Sequence, residues 1–192
     1  MPRERKKKFI NTGSMRFQFF SFIGLLLLII APDYGFERIL VTDVLDENLS
    51  LARELGAAVT VNVARDSALD AVQATFGPLG CETVLVAAGG PPILEQAMEM
   101  ARPGGSILFT GMITSPSTFV TYPIVYKELN ILGSFNYVMA DFERSIRILH
   151  SRGEQLRRIV THVMPLEQAA DAFRIQDTKS EFAVKILLAV NP

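Results

Sequence analysis

Metal-ligating and cross-linking side chains are scarce in this sequence. One cysteine, Cys81, and two histidines, His150 and His162, occur among 192 residues. A single cysteine excludes an internal disulfide framework and a cysteine-rich zinc lobe. Two histidines argue against a His-based metal centre within the chain. Cys81 reads as a small packing residue rather than a nucleophile. Net charge is also low, at −1, but unevenly spread. Residues 1–16 carry Arg3, Arg5, Lys6, Lys7, Lys8 and Arg16 against Glu4, a local balance of +5, which leaves −6 for the remainder. A basic start of this kind suits nucleic acid or anionic lipid, or is simply solvated. No aromatic residue alternates with its charges, as a single-strand-binding surface requires. Residues 1–14 are therefore expected to be a disordered basic tail, with no nucleic-acid partner.

Apolar side chains are plentiful, at 49% against 20% charged, enough for one domain or for one domain plus part of another. The run Phe17–Ala31 has only Gln18 and Ser21 as polar side chains. Behind a basic flank it resembles a signal peptide or signal anchor, and residues 1–31 would then make the protein membrane-associated or secreted. The run is short for a full span, and Ile29 and Pro32 make a poor cleavage site around Ala31. The competing reading divides it into a buried first strand, Met15–Phe20, and a first helix, Ile23–Ile30. Strands of a parallel sheet are buried on both faces and apolar throughout. The divided reading, with a cytoplasmic location, fits the pattern of residues 38–135.

Strand and helix signals alternate from residue 15 to 135. Arg38–Thr42 is a β-branched strand. Glu47–Leu55 has Leu49, Ala52 and Leu55 at helical spacing, with Gly56 as a stop. Ala58–Asn62 is a short strand, and Ser67–Phe76 a helix capped by Asp66. Glu82–Ala87 is a buried strand, broken by Gly89-Gly90-Pro91-Pro92 before a helix, Ile93–Ala101. Met98 and Met100 fall on the core and surface of that helix. Arg102–Gly105 reads as a turn, Ser106–Thr110 as a fifth strand and Leu129–Gly133 as a sixth. This pitch predicts an α/β fold, a Rossmann-type doubly wound parallel sheet with right-handed crossovers. After residue 135 the pattern changes. Asp141–Ser151 and Pro165–Phe173 are amphipathic, while Ile159–Met164 and Glu181–Val190 are extended, a short α+β segment. His150 suits the dipole at a helix C-terminus, His162 reads as a packing or backbone-bonding residue, and Asp141 and Glu143 as solvated.

Asp43 is the main chemical signal. It closes the run Ile39-Leu40-Val41-Thr42 and lies 19 residues beyond Gly24. An acid at the tip of a second strand, about 20 residues past a glycine turn, is what a dinucleotide fold uses to hold an adenosine ribose. Its carboxylate accepts hydrogen bonds from the ribose hydroxyls and repels a 2′-phosphate, which favours NAD over NADP. A simpler role, capping the following helix, remains open. The usual G-x-G-x-x-G reads Phe19-Phe20-Ser21-Phe22-Ile23-Gly24. Phe19 cannot easily take positive φ and puts a ring near the pyrophosphate, so NAD binding is expected to be weakened.

The order of several strings resembles the zinc-containing medium-chain alcohol and polyol dehydrogenases, in particular their sorbitol and threonine dehydrogenase branch. These strings are Ile23-Gly24-Leu25-Leu26, Val41-Thr42-Asp43, Leu51-Ala52-Arg53-Glu54-Leu55-Gly56-Ala57, Ala101-Arg102-Pro103-Gly104-Gly105, Leu132-Gly133-Ser134-Phe135 and Thr161-His162-Val163-Met164-Pro165-Leu166. The likeness runs over residues 22–190. It implies that residues 15–135 form an NAD-binding Rossmann domain and residues 136–192 the C-terminal return segment of a GroES-like catalytic domain. The resemblance implies no ligands for the catalytic zinc of complete relatives in this chain, and hence a truncated chain without independent activity.

The resemblance further implies a cofactor site. Ile23 and Gly24 match the helix start at the pyrophosphate and Asp43 the ribose-binding acid. Asn48 stands where relatives carry a cation. Ala87, with Ala88 and Gly89, matches the loop beside the adenine-side ribose. Thr110 and Gly111, followed by Met112, match the turn past the nicotinamide. Ser134 and Phe135 match the segment reaching the carboxamide, and Lys185 a basic residue near the pyrophosphate. The implied partners are NAD, a small alcohol or polyol and a second copy of the chain, joined through the edge of the Rossmann sheet within Thr110–Leu132. A non-catalytic nucleotide-binding or oligomerisation module is the alternative.

Overall fold

The structure, a computed structural model, describes residues 14–18, 22–87, 93–112, 116 and 118–190. The chain alternates as the sequence predicts, except that α5 is added: β1 (Ser14–Gln18), α1 (Phe22–Ile30), β2 (Arg38–Asp43), α2 (Asp46–Glu54), β3 (Val59–Asn62), α3 (Ala68–Phe76), β4 (Cys81–Val86), α4 (Ile93–Met100), β5 (Ala101–Phe109), α5 (Tyr122–Tyr126) and β6 (Asn130–Gly133). The six strands form one parallel sheet in the order β3-β2-β1-β4-β5-β6. Strand order reverses between β1 and β4, and that switch point opens a crevice at the C-terminal ends of the strands.

Strand alternation builds the two cores. Successive β2 side chains point to opposite faces. Ile39 and Val41 pack with Leu25, Leu28 and Ile29 of α1 and with Leu49 and Ala52 of α2. Leu40 points the other way, into a cluster with Val72 of α3 and Ala97 and Met98 of α4. β4 divides likewise, Leu85 to the first cluster and Val84 and Val86 to the second. Each fully buried Leu, Ile or Val contributes roughly 1.5–3 kcal/mol. Helices thus cover both faces, the doubly wound arrangement read from the sequence.

Residues 22–31 of the apolar run contribute to this core. α1 spans nine residues, and its Leu25, Leu28 and Ile29 are each 1% exposed. Among the described residues no helix is long and apolar enough to cross a membrane. Phe19 and Ser21 lie outside the described residues.

The remainder comprises α6 (Met139–Ser151), α7 (Gly153–Arg158), β7 (Val160–Pro165), α8 (Ala169–Thr178) and β8 (Lys185–Ala189). β7 and β8 pair in parallel as a separate two-stranded sheet.

Four local expectations change. The cap of α3 is Ser67, whose Oγ accepts from the Asp70 amide at 3.2 Å. Ser67 holds the extended conformation just before the first helical residue, a position that Asp66 does not occupy. Met100 is buried at 2% exposure beside Met98, because the chain passes directly from α4 into β5 there. Residues 102–105 are an irregularity within β5: Cys81 pairs with Ala101, but Thr83 pairs with Ser106. His162 uses a side-chain partner, with Nδ1 3.0 Å from Thr161 Oγ1 and Nε2 3.8 Å from Glu181.

Candidate cofactor site

Parallel pairing brings the strand ends to one edge. Gln18 of β1 stands opposite Thr42 of β2 and Val86 of β4. Asp43 stands opposite Asn62 of β3, and Phe109 of β5 opposite Val86 and Gly133. The residues after these ends form the rim of the crevice. Ala87 follows β4 and is buried at 5% exposure. Ala88 and Gly89 lie outside the described residues. The Thr110 and Gly111 amides both donate to the Val86 carbonyl, at 2.9 and 3.0 Å, which folds the chain over the end of β4. Thr110 Oγ1 donates to the same oxygen at 3.2 Å. The Ser134 amide donates to the Phe109 carbonyl at 2.9 Å, fixing the turn after β6, and Phe135 beside it is exposed.

Asp43 is 3% exposed at the tip of β2. Its Oδ1 accepts from the Leu45 amide at 2.8 Å, an Asx turn that aims the carboxylate along the edge. Its Oδ2 accepts from Asn48 Nδ2 at 3.1 Å. Asn48 therefore orients the acid. A carboxylate oxygen can accept more than one hydrogen bond. The Asx turn and ribose binding are therefore compatible here, whereas Asp43 is not the cap of α2, whose N-cap is Leu45 with no side-chain cap hydrogen bond.

Three residues beside Asp43 carry no signal of their own in the sequence: Asp46, Asn62 and Arg65. Asn62 is 5% exposed, and its Nδ2 donates to the Val44 carbonyl at 3.1 Å and to Asp46 Oδ1 at 2.9 Å. Arg65 grips Asp46 with both terminal nitrogens, at 2.8 and 2.7 Å. The Arg65 hydrogen bonds, and then that of Asn62, hold the pKa of the Asp46 carboxyl at about 2. The one available clue is an acid at the start of α2 facing the loop after β3.

The start of α1 lies at the same crevice. Ile23 is exposed and Gly24 buried in its first turn. Lys185, at the head of β8, reaches across from the second sheet, with Nζ 5.1 Å from the centre of the Phe22 ring. The structure thus places Asp43, Ala87, Thr110, Gly111 and Ser134 along the sheet edge and Ile23 and Gly24 in the first turn of α1, with Lys185 against Phe22, the first residue of that helix.

The donors among the described residues do not fit zinc. Among the described residues no group of three His, Cys, Asp or Glu side chains could hold a metal ion. Cys81 is buried with Sγ donating to the Met100 carbonyl at 3.5 Å, and His162 is engaged as above.

The sequence is 28% identical to human sorbitol dehydrogenase over 172 residues, 88% of this chain and 47% of that protein. It is 32% identical to the sorbitol dehydrogenase of Gallus gallus over 175 residues, 88% of this chain and 48% of that protein. The chain thus spans about half the length of the curated relatives it matches. Among solved structures, an alcohol dehydrogenase from Thermus sp. ATN1 superposes with a TM-score of 0.85 at 30% identity, covering 94% of this chain and 52% of that one. A short-chain alcohol dehydrogenase from Escherichia coli CFT073, complexed with NADH, does so with a TM-score of 0.81 at 26% identity, covering 93% and 52%. The family model for zinc-binding dehydrogenases matches residues 23–151, more than half of the chain, in agreement with the strand order and the acid at the tip of β2, and the chain belongs to that family.

Proposed function

We propose that this chain is the NAD-binding unit of an oxidoreductase acting on the CH–OH group of an alcohol or polyol. The observation that carries the reading is Asp43, a buried acid presented at the tip of β2 beside the switch point. Its carboxylate accepts from the two ribose hydroxyls and disfavours a 2′-phosphate. The amides in the first turn of α1 face the pyrophosphate, where an anion gains from the helix dipole. Lys185 adds a positive charge there. Thr110, Gly111, Ser134 and Phe135 border the nicotinamide. NAD, when bound, supplies the hydride-accepting ring. The alcohol or polyol class is taken from the sorbitol dehydrogenases that the chain resembles. No step is assigned to zinc, because the donor set does not fit it.

Titration with NADH tests the reading. The chain contains no tryptophan, so nucleotide fluorescence is read without an indole background. Binding is expected, and Asp43→Ala is expected to weaken it roughly 10- to 100-fold, the loss of hydrogen bonds to a charged acceptor at about 1.5–3 kcal/mol. Lack of binding by the unaltered chain, with its circular dichroism intact, would remove the proposal.

A second reading, self-association through the sheet edge, is favoured by one specific observation. β6 ends the sheet, and the adjacent α5 exposes Tyr122, Val125 and Tyr126.

A further inference from the structure

The bonds around Asp43 extend beyond that residue. The Asp43 carbonyl accepts from the Val63 amide at 3.0 Å, so the loop after β3 runs alongside the tip of β2. The Asn62 side-chain amide joins the Val44 carbonyl to Asp46 at 3.1 and 2.9 Å. Arg65, two residues past Val63, ends on Asp46 through two parallel bonds. Val44, Asp46, Asn62 and Arg65 are therefore one hydrogen-bonded patch next to Asp43, at the end of the crevice assigned to adenosine.

The pairing of Arg65 with Asp46 contributes little to folding by itself. The two side chains are 61% and 60% exposed, and ion pairs in water stabilise weakly. The geometry nevertheless matters for a ligand. A guanidinium fork matches phosphate as well as carboxylate, in the same two-bond manner. Here the resident carboxylate occupies the fork and cancels its charge. Arg53 also lies within electrostatic reach of Asp46, but its Nε donates to Thr60 Oγ1 at 2.7 Å.

We propose that Asp46 is a second determinant of cofactor choice: it locks Arg65 in a pair that keeps the guanidinium from a ribose 2′-phosphate, so the chain takes a dinucleotide with a free 2′-hydroxyl. The inference rests on reading Asp43 as the ribose-binding acid. Asp43 repels the phosphate, and Asp46 occupies the guanidinium that would receive it. The depressed pKa of the Asp46 carboxyl keeps the lock charged at neutral and mildly acidic pH.

The test is paired titration of the whole chain with NADH and NADPH. Asp46→Asn is expected to raise the affinity ratio for NADPH over NADH about tenfold, the effect of one freed charge-assisted contact. Adding Arg65→Ala is expected to cancel that gain. Asp46→Ser, which keeps an acceptor for the Asn62 amide, replaces Asp46→Asn if the latter melts early. An unchanged ratio in a folded Asp46 variant that still binds NADH overturns the lock. A gain that persists without Arg65 also overturns it, because relief of repulsion would then suffice. Failure of the unaltered chain to bind either nucleotide instead overturns the reading of Asp43.

Discussion

Gly80, in the turn between α3 and β4, has a φ of +96°, and a Cβ there would collide with the Met100 carbonyl oxygen. Both the backbone conformation and the contact exclude a side chain. Gly80→Ala is expected to cost about 3 kcal/mol, from left-handed strain plus displacement of the β4–β5 backbone, read as a lower urea midpoint at unchanged slope. Asp46 gives a pH-dependent expectation. The pKa of its carboxyl falls from 3.8 to about 2 on folding. A depressed carboxyl stabilises the fold above its unfolded value and loses that contribution as pH falls through the folded one. Because the Arg65–Asp46 pair is largely exposed and screened by solvent, the difference in acid stability between the unaltered chain and Asp46→Asn should be small, and it should shrink between pH 3.8 and about 2 and level off below, as followed by circular dichroism. Residues of these kinds differ in legibility. The place of Asp43 at the tip of a strand could be read because it depends on local order, an apolar run closed by an acid. Asn62 and Arg65 could not, since their partner Asp46 is 16 and 19 residues away and meets them only through the β2–β3 register.

Elements were legible where burial imposed a period. β2 and β4 are apolar runs because both faces are covered, and α1 and α2 show their core stripes. The short helices α5 and α7, of five and six residues, were not legible, because fewer than two turns show no period. α5 has a structural consequence through Lys127, at its C-terminal end. The last carbonyls of a helix have no partner within it. Lys127 Nζ donates to the carbonyls of Met98, Glu99 and Ala101 at 2.9, 2.9 and 3.0 Å, closing the end of α4. Its own carbonyl accepts from the Gly104 amide at 2.7 Å, which fastens the irregular part of β5. One ammonium thus ties α4 and β5 to the chain after α5. Lys127→Met keeps the aliphatic stem and removes the donors. It is expected to destabilise the protein by about 1–3 kcal/mol, the cost of leaving partly buried carbonyls unpaired, with a matching fall in the thermal midpoint.

At the scale of the whole molecule, well-covered and bare surfaces are segregated. α1, α2, α3 and α4 all contribute to buried clusters, whereas α5, α6 and α7 contain no buried residue. The bare region includes one end of the six-stranded sheet. A terminal strand offers a row of backbone groups to any strand that approaches, and sheets usually guard such ends with charge or proline. β6 reads Asn130-Ile131-Leu132-Gly133 and has neither. Beside it Tyr122 and Tyr126 stack with centroids 5.5 Å apart, and Val125 is 73% exposed. Two copies related by a two-fold axis could pair β6 with β6 antiparallel and cover both α5 faces, an interface in which the same patch serves twice. Sedimentation is expected to give a dimer that dissociates on dilution. Ile131→Lys places two like charges near the axis and should raise the dissociation constant at least about tenfold, while Val163→Lys, at an exposed position of β7, should leave it unchanged. A monomer at all concentrations would remove self-association through this edge and leave nucleotide binding untouched, because the acid that carries it sits on β2, on the far side of β1, β4 and β5 from the bare strand.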